Sequence, residues 1–224
     1  KMAQVESDAR DRTRECKAPE VAVELVRTPP TAALIGASEG ADAVVVGARG
    51  HSMLSGVLLG SVSQHVARHA ACPVVVTRQP YDPASTRVVV GVDGSGGSLR
   101  ALEFGFEHAD RTGASVTAIH AWRNLSRGGG AGMGYPLDSF TDEVQASERI
   151  LAESVAGLAE RYPDVPLAQE AIPVPPNRAL ADASQSAALL VVGSRGLGAF
   201  AGLMLGSISQ SVLHHAQCPV AVVR

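Results

Sequence analysis

The sequence predicts an α/β protein with a parallel sheet, built as a tandem repeat. Short apolar runs alternate with helical patterns over most of the 224 residues, and this alternation is typical of βαβ units. A 35-residue segment also occurs twice. Residues 44–78 and 190–224 align without a gap, are offset by 146 positions and share 19 identical residues. This match indicates a duplicated unit rather than chance.

The second repeat shows a complete order of elements. Residues 87–93 (RVVVGVD) form a continuous apolar run, which is typical of a strand buried on both faces. A glycine-rich segment at residues 123–136 predicts a loop. The predicted strands cover residues 87–93, 115–122, 167–172, 188–193 and 219–223, and the predicted helices cover residues 98–111, 138–161, 177–186 and 205–216.

The first repeat is predicted to contain only the later part of this order. Residues 26–34 (VRTPPTAAL) correspond to residues 172–180 (IPVPPNRAL). Each proline pair marks the end of a strand and the start of a helix, with Thr31 and Asn177 as candidate caps. The counterpart of Asp93 would precede the first residue, so the opening strands have no equivalent in this sequence.

These boundaries divide the chain into three parts. Residues 1–80 are assigned to the later part of a first repeat, 81–86 to a linker and 87–224 to a complete second domain. A sheet without its central strands leaves unpaired backbone groups. We therefore expect the first repeat to be unstable alone. Either the sequence is a fragment of a longer chain, or a partner supplies the strands.

Composition narrows the classes of function. The net charge of −3 provides no basic field for nucleic acid or an anionic membrane. No apolar run reaches the roughly 18 residues that span a bilayer, and residues 1–20 lack a signal-peptide core, so we expect a cytoplasmic protein. Cys16, Cys72 and Cys218 form no CxxC pair. Cys72 and Cys218 occupy equivalent positions, where a packing role is expected.

Each copy of the repeat carries three glycines and a serine in the pattern G-x2-G-x9-G-S. Glycines after a buried strand let a ligand approach the backbone at the carboxyl edge of a parallel sheet. The final Gly-Ser pair opens a helix, whose first N–H groups attract anions. The pattern predicts a cradle for a diphosphate or triphosphate. Glycines that serve only a tight turn and close helix packing are the alternative.

Other motifs do not support a different chemistry. There is no GxxxxGK[ST] loop, and residues 93–99 (DGSGGSL) lack the last glycine of a dinucleotide fingerprint. His65 and His69 have a spacing that chelates metals, but the second copy has Ser211 at the first of these positions and no third ligand is evident. His120 is expected either near the ligand pocket or as a satisfied core histidine.

The G-x2-G-x9-G-[ST] pattern, followed after an amphipathic helix by HA-x-CPV-x-V, resembles the universal stress protein family. The tandem arrangement resembles that of its two-domain members. This resemblance implies an adenine nucleotide alpha hydrolase-like, open, doubly wound parallel sheet of five strands in the order 3-2-1-4-5. It also implies ATP at the carboxyl edge, with Mg²⁺ left open, and a homodimer formed through a last strand, at residues 219–223 or 73–77.

The resemblance also assigns roles by position. Asp93 matches an aspartate on the ribose and adenine side, Ala121 lies beside the base, and Val192 lies next to the nucleotide. The phosphate-binding positions, which would hold the phosphates through backbone and hydroxyl donors, are Gly193, Arg195, Gly196, Gly206, Ser207, Ile208 and Ser209, and in the first copy Gly47, Arg49, Gly50, Gly60, Ser61, Val62 and Ser63. Because the first copy lacks counterparts of Asp93 and Ala121, weak or no binding is expected there.

The function implied is that of an ATP-binding regulatory protein of the stress response. Tight binding with slow or no turnover is expected, because no general base or metal-binding carboxylate cluster accompanies the glycines. Two alternatives stay open. One is a slow ATPase or an adenylating enzyme in which Asp93 helps to hold Mg²⁺, and the other is a dimerising interaction module without nucleotide.

Overall fold

Strands and helices alternate along the chain in a computed structural model, which describes residues 22, 24–48, 59–78, 84–123, 137–198 and 205–224. The strands are β1 (Val44–Gly47), β2 (Val74–Thr77), β3 (Arg87–Gly91), β4 (Ser115–Ala121), β5 (Leu167–Ile172), β6 (Leu189–Gly193) and β7 (Val220–Val223). The helices are α1 (Pro30–Ala37), α2 (Ser61–His69), α3 (Gly96–Thr112), α4 (Leu137–Arg161), α5 (Pro176–Ala183) and α6 (Ser207–His215), with a 3₁₀ turn at Ser184–Ser186. The predicted glycine-rich loop lies largely outside the described residues.

The seven strands found in the described residues form one sheet in the order β1-β2-β7-β6-β3-β4-β5. Neighbouring strands are parallel except β2 and β7. The prediction of a five-stranded sheet is therefore wrong for the chain as a whole, because both repeats share one sheet. Within the second repeat the strands lie in the order β5-β4-β3-β6-β7, which is 3-2-1-4-5 when strands are counted from residue 87.

The two repeats meet through their last strands. β2 pairs antiparallel with β7, and Val75 lies opposite Ala221. These two positions are repeat equivalents, so a local two-fold axis passes through this pair and relates the C-terminal halves of the repeats. β2 also pairs with β1, and β7 also pairs with β6. Both edges of each last strand are thus occupied within the chain, and neither offers a free edge to a second copy. The homodimer itself stays a prediction.

The strand predicted before the proline pair of the first repeat is not formed. Residues 24–27 belong to no strand, and the side chains of Leu25 and Val26 are 65% and 46% exposed. In the second repeat the equivalent strand, β5, pairs with β4. The described part of the first repeat contains no counterpart of β4, and a strand without a neighbour has no partner for its backbone groups.

Prolines begin helices α1 and α5. Pro29 and Pro175 occupy the N-cap positions, and the helices start at the next proline in each case. The prediction that Thr31 and Asn177 cap these helices is wrong, because both lie inside the first turn. Proline suits this turn because it has no N–H group to leave unpaired and its fixed φ is helical.

Helices cover both faces of the sheet. One face packs against α3 and α4 around the fully buried side chains of Phe106 and Leu102. The other packs against α2, α5 and α6, and its apolar cluster includes Val66 and Val74 of the first repeat together with Val212 of the second. The two repeats therefore share this core. Val45 on the edge strand β1 is 63% exposed, and no described helix covers it.

Cys72 and Cys218 are buried free thiols in the described part of the chain. Burial raises the pKa of the Cys218 thiol to about 11, so the reactive thiolate is scarce at neutral pH. This agrees with the packing role expected from the sequence.

Acid pH is expected to destabilise the fold through His214. Its pKa is lowered from 6.5 by burial and by the positive charges of His215, Arg78 and Arg68. Because the unfolded chain binds this proton more readily, the free energy of unfolding should fall as the pH drops through about 6.5 towards the lowered pKa. Urea unfolding at several pH values should show a smaller fall in His214→Gln. An equal fall in both proteins would contradict this assignment.

Candidate functional site

A cavity of about 680 Å³ opens at the carboxyl edge of the second repeat's sheet. Gly91, Ala121 and Gly193, which end β3, β4 and β6, lie in its wall. These ends meet because the three strands are parallel neighbours. The volume lies within the range of small-molecule sites, about 300–1,000 Å³.

All of the predicted positions of the second repeat line this cavity. They are Asp93, Ala121, Val192, Gly193, Arg195, Gly196, Gly206, Ser207, Ile208 and Ser209. Their role in nucleotide binding stays a prediction, whereas their position around a single cavity is observed in the structure. No described residue of the first repeat belongs to the lining. Of the first-repeat positions, Gly47, Gly60, Ser61, Val62 and Ser63 are described, whereas Arg49 and Gly50 lie outside the described residues.

Asp93 connects the end of β3 to the loop that follows β6, whose described part is residues 194–198 (the glycine loop). Its Oδ1 accepts a hydrogen bond from the N–H of Ser95 at 3.0 Å, and its Oδ2 accepts one from the N–H of Leu197 at 3.0 Å. Burial raises the pKa of the carboxyl group, but hydrogen bonds from Ser95, Leu197 and Ser98 outweigh it and leave the pKa lowered. The carboxylate therefore stays ionised at neutral pH and holds the loop against the strand end.

Glycines permit this close packing. A Cβ atom on Gly196 would overlap Oδ2 of Asp93. A Cβ on Gly97 would lie 2.5 Å from the carbonyl oxygen of Arg195, and one on Gly193 would lie 2.7 Å from the carbonyl carbon of Gly97. The backbone segments after β3 and β6 thus touch each other directly. The glycine pattern did not reveal the role of Gly97 in this packing, because its contact is with a distant part of the chain.

The N-terminus of α6 faces the same cavity. Gly206 is its N-cap, and no side chain caps the end. The first backbone bond of the helix runs from the N–H of Gln210 to the carbonyl of Gly206 at 2.9 Å. The N–H groups of Ser207, Ile208 and Ser209 consequently have no intrahelical acceptor. Such a helix end favours an anion.

The hydroxyl of Ser209 has a different role from the one expected. It donates a 2.6 Å hydrogen bond to the carbonyl of Gly193, at the end of β6. The equivalent hydroxyl, of Ser63, donates to the carbonyl of Gly47 at 2.6 Å. In both repeats this serine ties the helix that begins after the last glycine of the pattern (the cradle helix, α2 or α6) to the preceding strand, β1 or β6. The expectation that these hydroxyls are free donors for phosphate is therefore wrong for this conformation, and the backbone N–H groups are the available donors.

The apolar part of the lining was not identified as part of the site from the sequence, whereas His120 was expected near the pocket as one of two alternatives. Ile119, Ile150, Leu180 and Leu205 supply apolar surface, and they come from β4, α4, α5 and the start of the α6 region. Periodicity indicates that such residues are buried but not that they meet. His120 also lines the cavity, and its Nδ1 donates to the carbonyl of Val92 at 2.8 Å. This bond leaves Nε2 as an acceptor in the neutral ring.

The donor set suits a phosphate better than a protein-bound metal. Asp93 is the one carboxylate in the described lining, and two N–H groups already occupy its oxygens. Within the described residues, no three His, Cys, Asp or Glu side chains gather as a metal site. A Mg²⁺ ion would therefore be held by the phosphates of a ligand and by water, which is a common arrangement for this ion.

Within the described residues, no helix has the length and apolar character that crossing a membrane requires.

A largely parallel α/β sheet with a cavity at its carboxyl edge, and a glycine loop facing an uncapped helix, are typical of α/β proteins that bind a small ligand. The chain belongs to the universal stress protein family. The model of that family matches residues 2–78 and 85–224. The family model thus matches the chain twice, once in each of these ranges.

Individual relatives support this membership. The chain is 40% identical over 205 residues to universal stress protein Rv2005c of Mycobacterium tuberculosis. The aligned region covers 90% of this chain and 68% of that protein. It is 37% identical over 211 residues to universal stress protein Rv2623 of the same species, and the aligned region covers 92% of this chain and 69% of that protein. A universal stress protein structure from Archaeoglobus fulgidus has the same fold, with a TM-score of 0.64, 24% identity, and coverage of 100% of this chain and 77% of that one.

Proposed function

We propose that this protein binds adenine nucleotide, with ATP as the main ligand, in the cavity of the second repeat. It acts in the cytoplasm as a regulatory protein of the stress response, whose conformation or contacts depend on the bound nucleotide. The observation that carries the proposal is the uncapped N-terminus of α6, which opens into a cavity walled by Gly193, Gly196 and Gly206. Anions are favoured at such an end, and the glycines let the loop after β6 pack closely against Gly97 and Asp93 beside it.

The two kinds of lining match the two parts of a nucleotide. The N–H groups of Ser207, Ile208 and Ser209 would hold phosphate oxygens, and the exposed Arg195 would add positive charge at the rim. The apolar walls suit a base, with Ala121 and Val192 beside it. No basic groove is needed, because backbone donors and one guanidinium recognise the anion.

Binding without rapid turnover follows from the state of Asp93. A carboxylate that already accepts two backbone N–H bonds and has a lowered pKa is a poor general base. The site is thus arranged to hold a nucleotide rather than to activate water. Substrate-dependent release of pyrophosphate by the purified protein would favour an adenylating enzyme instead.

The first test is nucleotide content. Freshly purified protein is denatured, the released small molecules are identified by mass spectrometry, and ATP is titrated into stripped protein by calorimetry. We expect ATP or ADP and about one nucleotide per chain, because the cavity described in the second repeat is the complete one. No released nucleotide and no titratable binding would leave the glycines as architecture and favour an interaction module.

The same titration tests the first repeat. Its cradle helix α2 begins at Ser61 after Gly60, with no side-chain cap, but the described residues provide it with no equivalent of Asp93 or Ala121. We expect weak or no binding there. Two equal, tight sites per chain would contradict this prediction.

A further inference from the structure

Two arginines cross between the repeats in a reciprocal pattern. Arg78 follows β2, and its Nη2 donates to the backbone carbonyl of Leu213 in α6. Arg224 follows β7, and its Nη2 donates to the carbonyl of Ala67 in α2 at 2.9 Å. Both arginines and both carbonyls are repeat equivalents. The contacts therefore obey the local two-fold symmetry of the β2–β7 junction, and each repeat holds the cradle helix of the other.

The accepting carbonyls lie in the last turn of each helix. The final four carbonyls of a helix lack intrahelical partners, and this end carries partial negative charge. Leu213 is the third residue from the end of α6, and Ala67 is the third from the end of α2. A guanidinium supplies both a hydrogen bond and a positive charge at this position. Leu213 and Ala67 are themselves fully buried, so water is a poor substitute for the arginine.

The opposite end of α6 is the candidate phosphate cradle. The helix has nine residues, about two and a half turns. Helices this short are marginal alone and depend on tertiary contacts. Fraying at Leu213 therefore reaches within four residues of Ser209, whose N–H belongs to the cradle. The Arg78 bond lies at the far end of the element that presents the donors.

We infer that Arg78 is a positioning residue for the second repeat's nucleotide site: the first repeat sets the affinity of a cavity to which it contributes no lining residue. This rests on the proposed function above. The first repeat then acts as a support that holds α6 in its binding geometry. The junction couples the repeats through a helix rather than through a shared ligand.

The test compares Arg78→Met, Arg78→Lys and Arg224→Met in the full chain. Methionine retains much of the apolar stem but removes every donor and the charge, and lysine restores the charge and a donor. Arg224→Met breaks the symmetric contact on α2 and serves as the matched control. Calorimetric ATP titration should show affinity lower by on the order of tenfold in Arg78→Met, partial rescue by lysine, and a clearly smaller change in Arg224→Met, which removes a charge that acts on Arg195. Equal weakening by both methionine variants, or none in either, would overturn the inference.

Hydrogen exchange separates this inference from the proposed function. In protein stripped of nucleotide, the peptide spanning residues 205–216 should exchange faster in Arg78→Met than in wild type or Arg224→Met. This readout needs no ligand, so it stays informative if ATP does not bind. Unchanged exchange of that peptide in Arg78→Met would show that the contact does not order α6. Melting temperatures of all variants, measured alongside, distinguish local loosening from general loss of stability.

Discussion

Replacing Gly196 with valine is expected to weaken nucleotide binding strongly at the second repeat. A Cβ at this position overlaps Oδ2 of Asp93, and the two further methyl groups of valine enlarge the clash. Either the loop or the Asp93 carboxylate must then shift, which breaks the bond between Asp93 and the N–H of Leu197. Loss of a hydrogen bond to a charged group costs about 1.5–3 kcal/mol, which corresponds to a fall in affinity of on the order of 10- to 100-fold. ATP titration of Gly196→Val beside wild type measures this loss.

Gly157→Ala provides the matched control. Gly157 lies on the exposed side of α4, and a Cβ there meets nothing within 4 Å. Alanine should stabilise the helix slightly, by up to about 1 kcal/mol, and leave binding unchanged. Circular dichroism and thermal unfolding establish that Gly196→Val still folds. A folded Gly196→Val protein with wild-type affinity would show that the glycine loop does not form the nucleotide site.

The sequence predicted most of the second repeat because its signals are local. An apolar run such as residues 87–93 indicates a buried strand, and glycines indicate where the chain turns. The structure places β5 at Leu167–Ile172, the residues predicted, and the other strand boundaries differ by at most two residues. The glycine and serine positions of the lining came from the motif, and Asp93, Ala121 and Val192 came from the family resemblance. They lie together because the ends of parallel neighbouring strands meet at one edge of the sheet.

Contacts between distant segments were not predictable in the same way. The pairing of β2 with β7 depends on which strand edges are free after each repeat has folded, and no single segment encodes it. The bond from Ser209 to Gly193 depends on the angle between α6 and β6. The contact of Gly97 with Arg195 joins loops almost a hundred residues apart. Each of these requires the tertiary arrangement.

The shared sheet changes how the first repeat is understood. From its sequence, the loss of the central strands predicted an unstable unit. In the structure, β2 gains β7 as a neighbour, and α2 packs into a core shared with α6. The second repeat therefore stabilises the first through its last strand and one face of its core. β1 lies at the edge of the described sheet, where the side chain of Val45 is exposed.

Removing the carboxylate of Asp93 is expected to weaken both the fold and the site. In Asp93→Ala, the N–H groups of Ser95 and Leu197 lose their acceptor. A lost hydrogen bond to a charged group costs about 1.5–3 kcal/mol, so urea unfolding should show a decrease of about that size. ATP affinity should fall with it, because Leu197 belongs to the loop that walls the cavity. Asp110→Ala, an exposed position on α3, is the control and should change neither quantity.

Asp93→Asn separates charge from geometry at the same position. The amide retains one oxygen, so it can accept from one of the two N–H groups, but its NH₂ group faces the other donor. A loss comparable to that of alanine is therefore expected. The lowered pKa adds a pH signature: the stabilisation by Asp93 should persist above about pH 3.8 and be lost as the pH falls through the lowered value. If asparagine instead preserved wild-type stability and affinity, the carboxylate would serve only as a spacer, and the backbone of Leu197 would need another anchor.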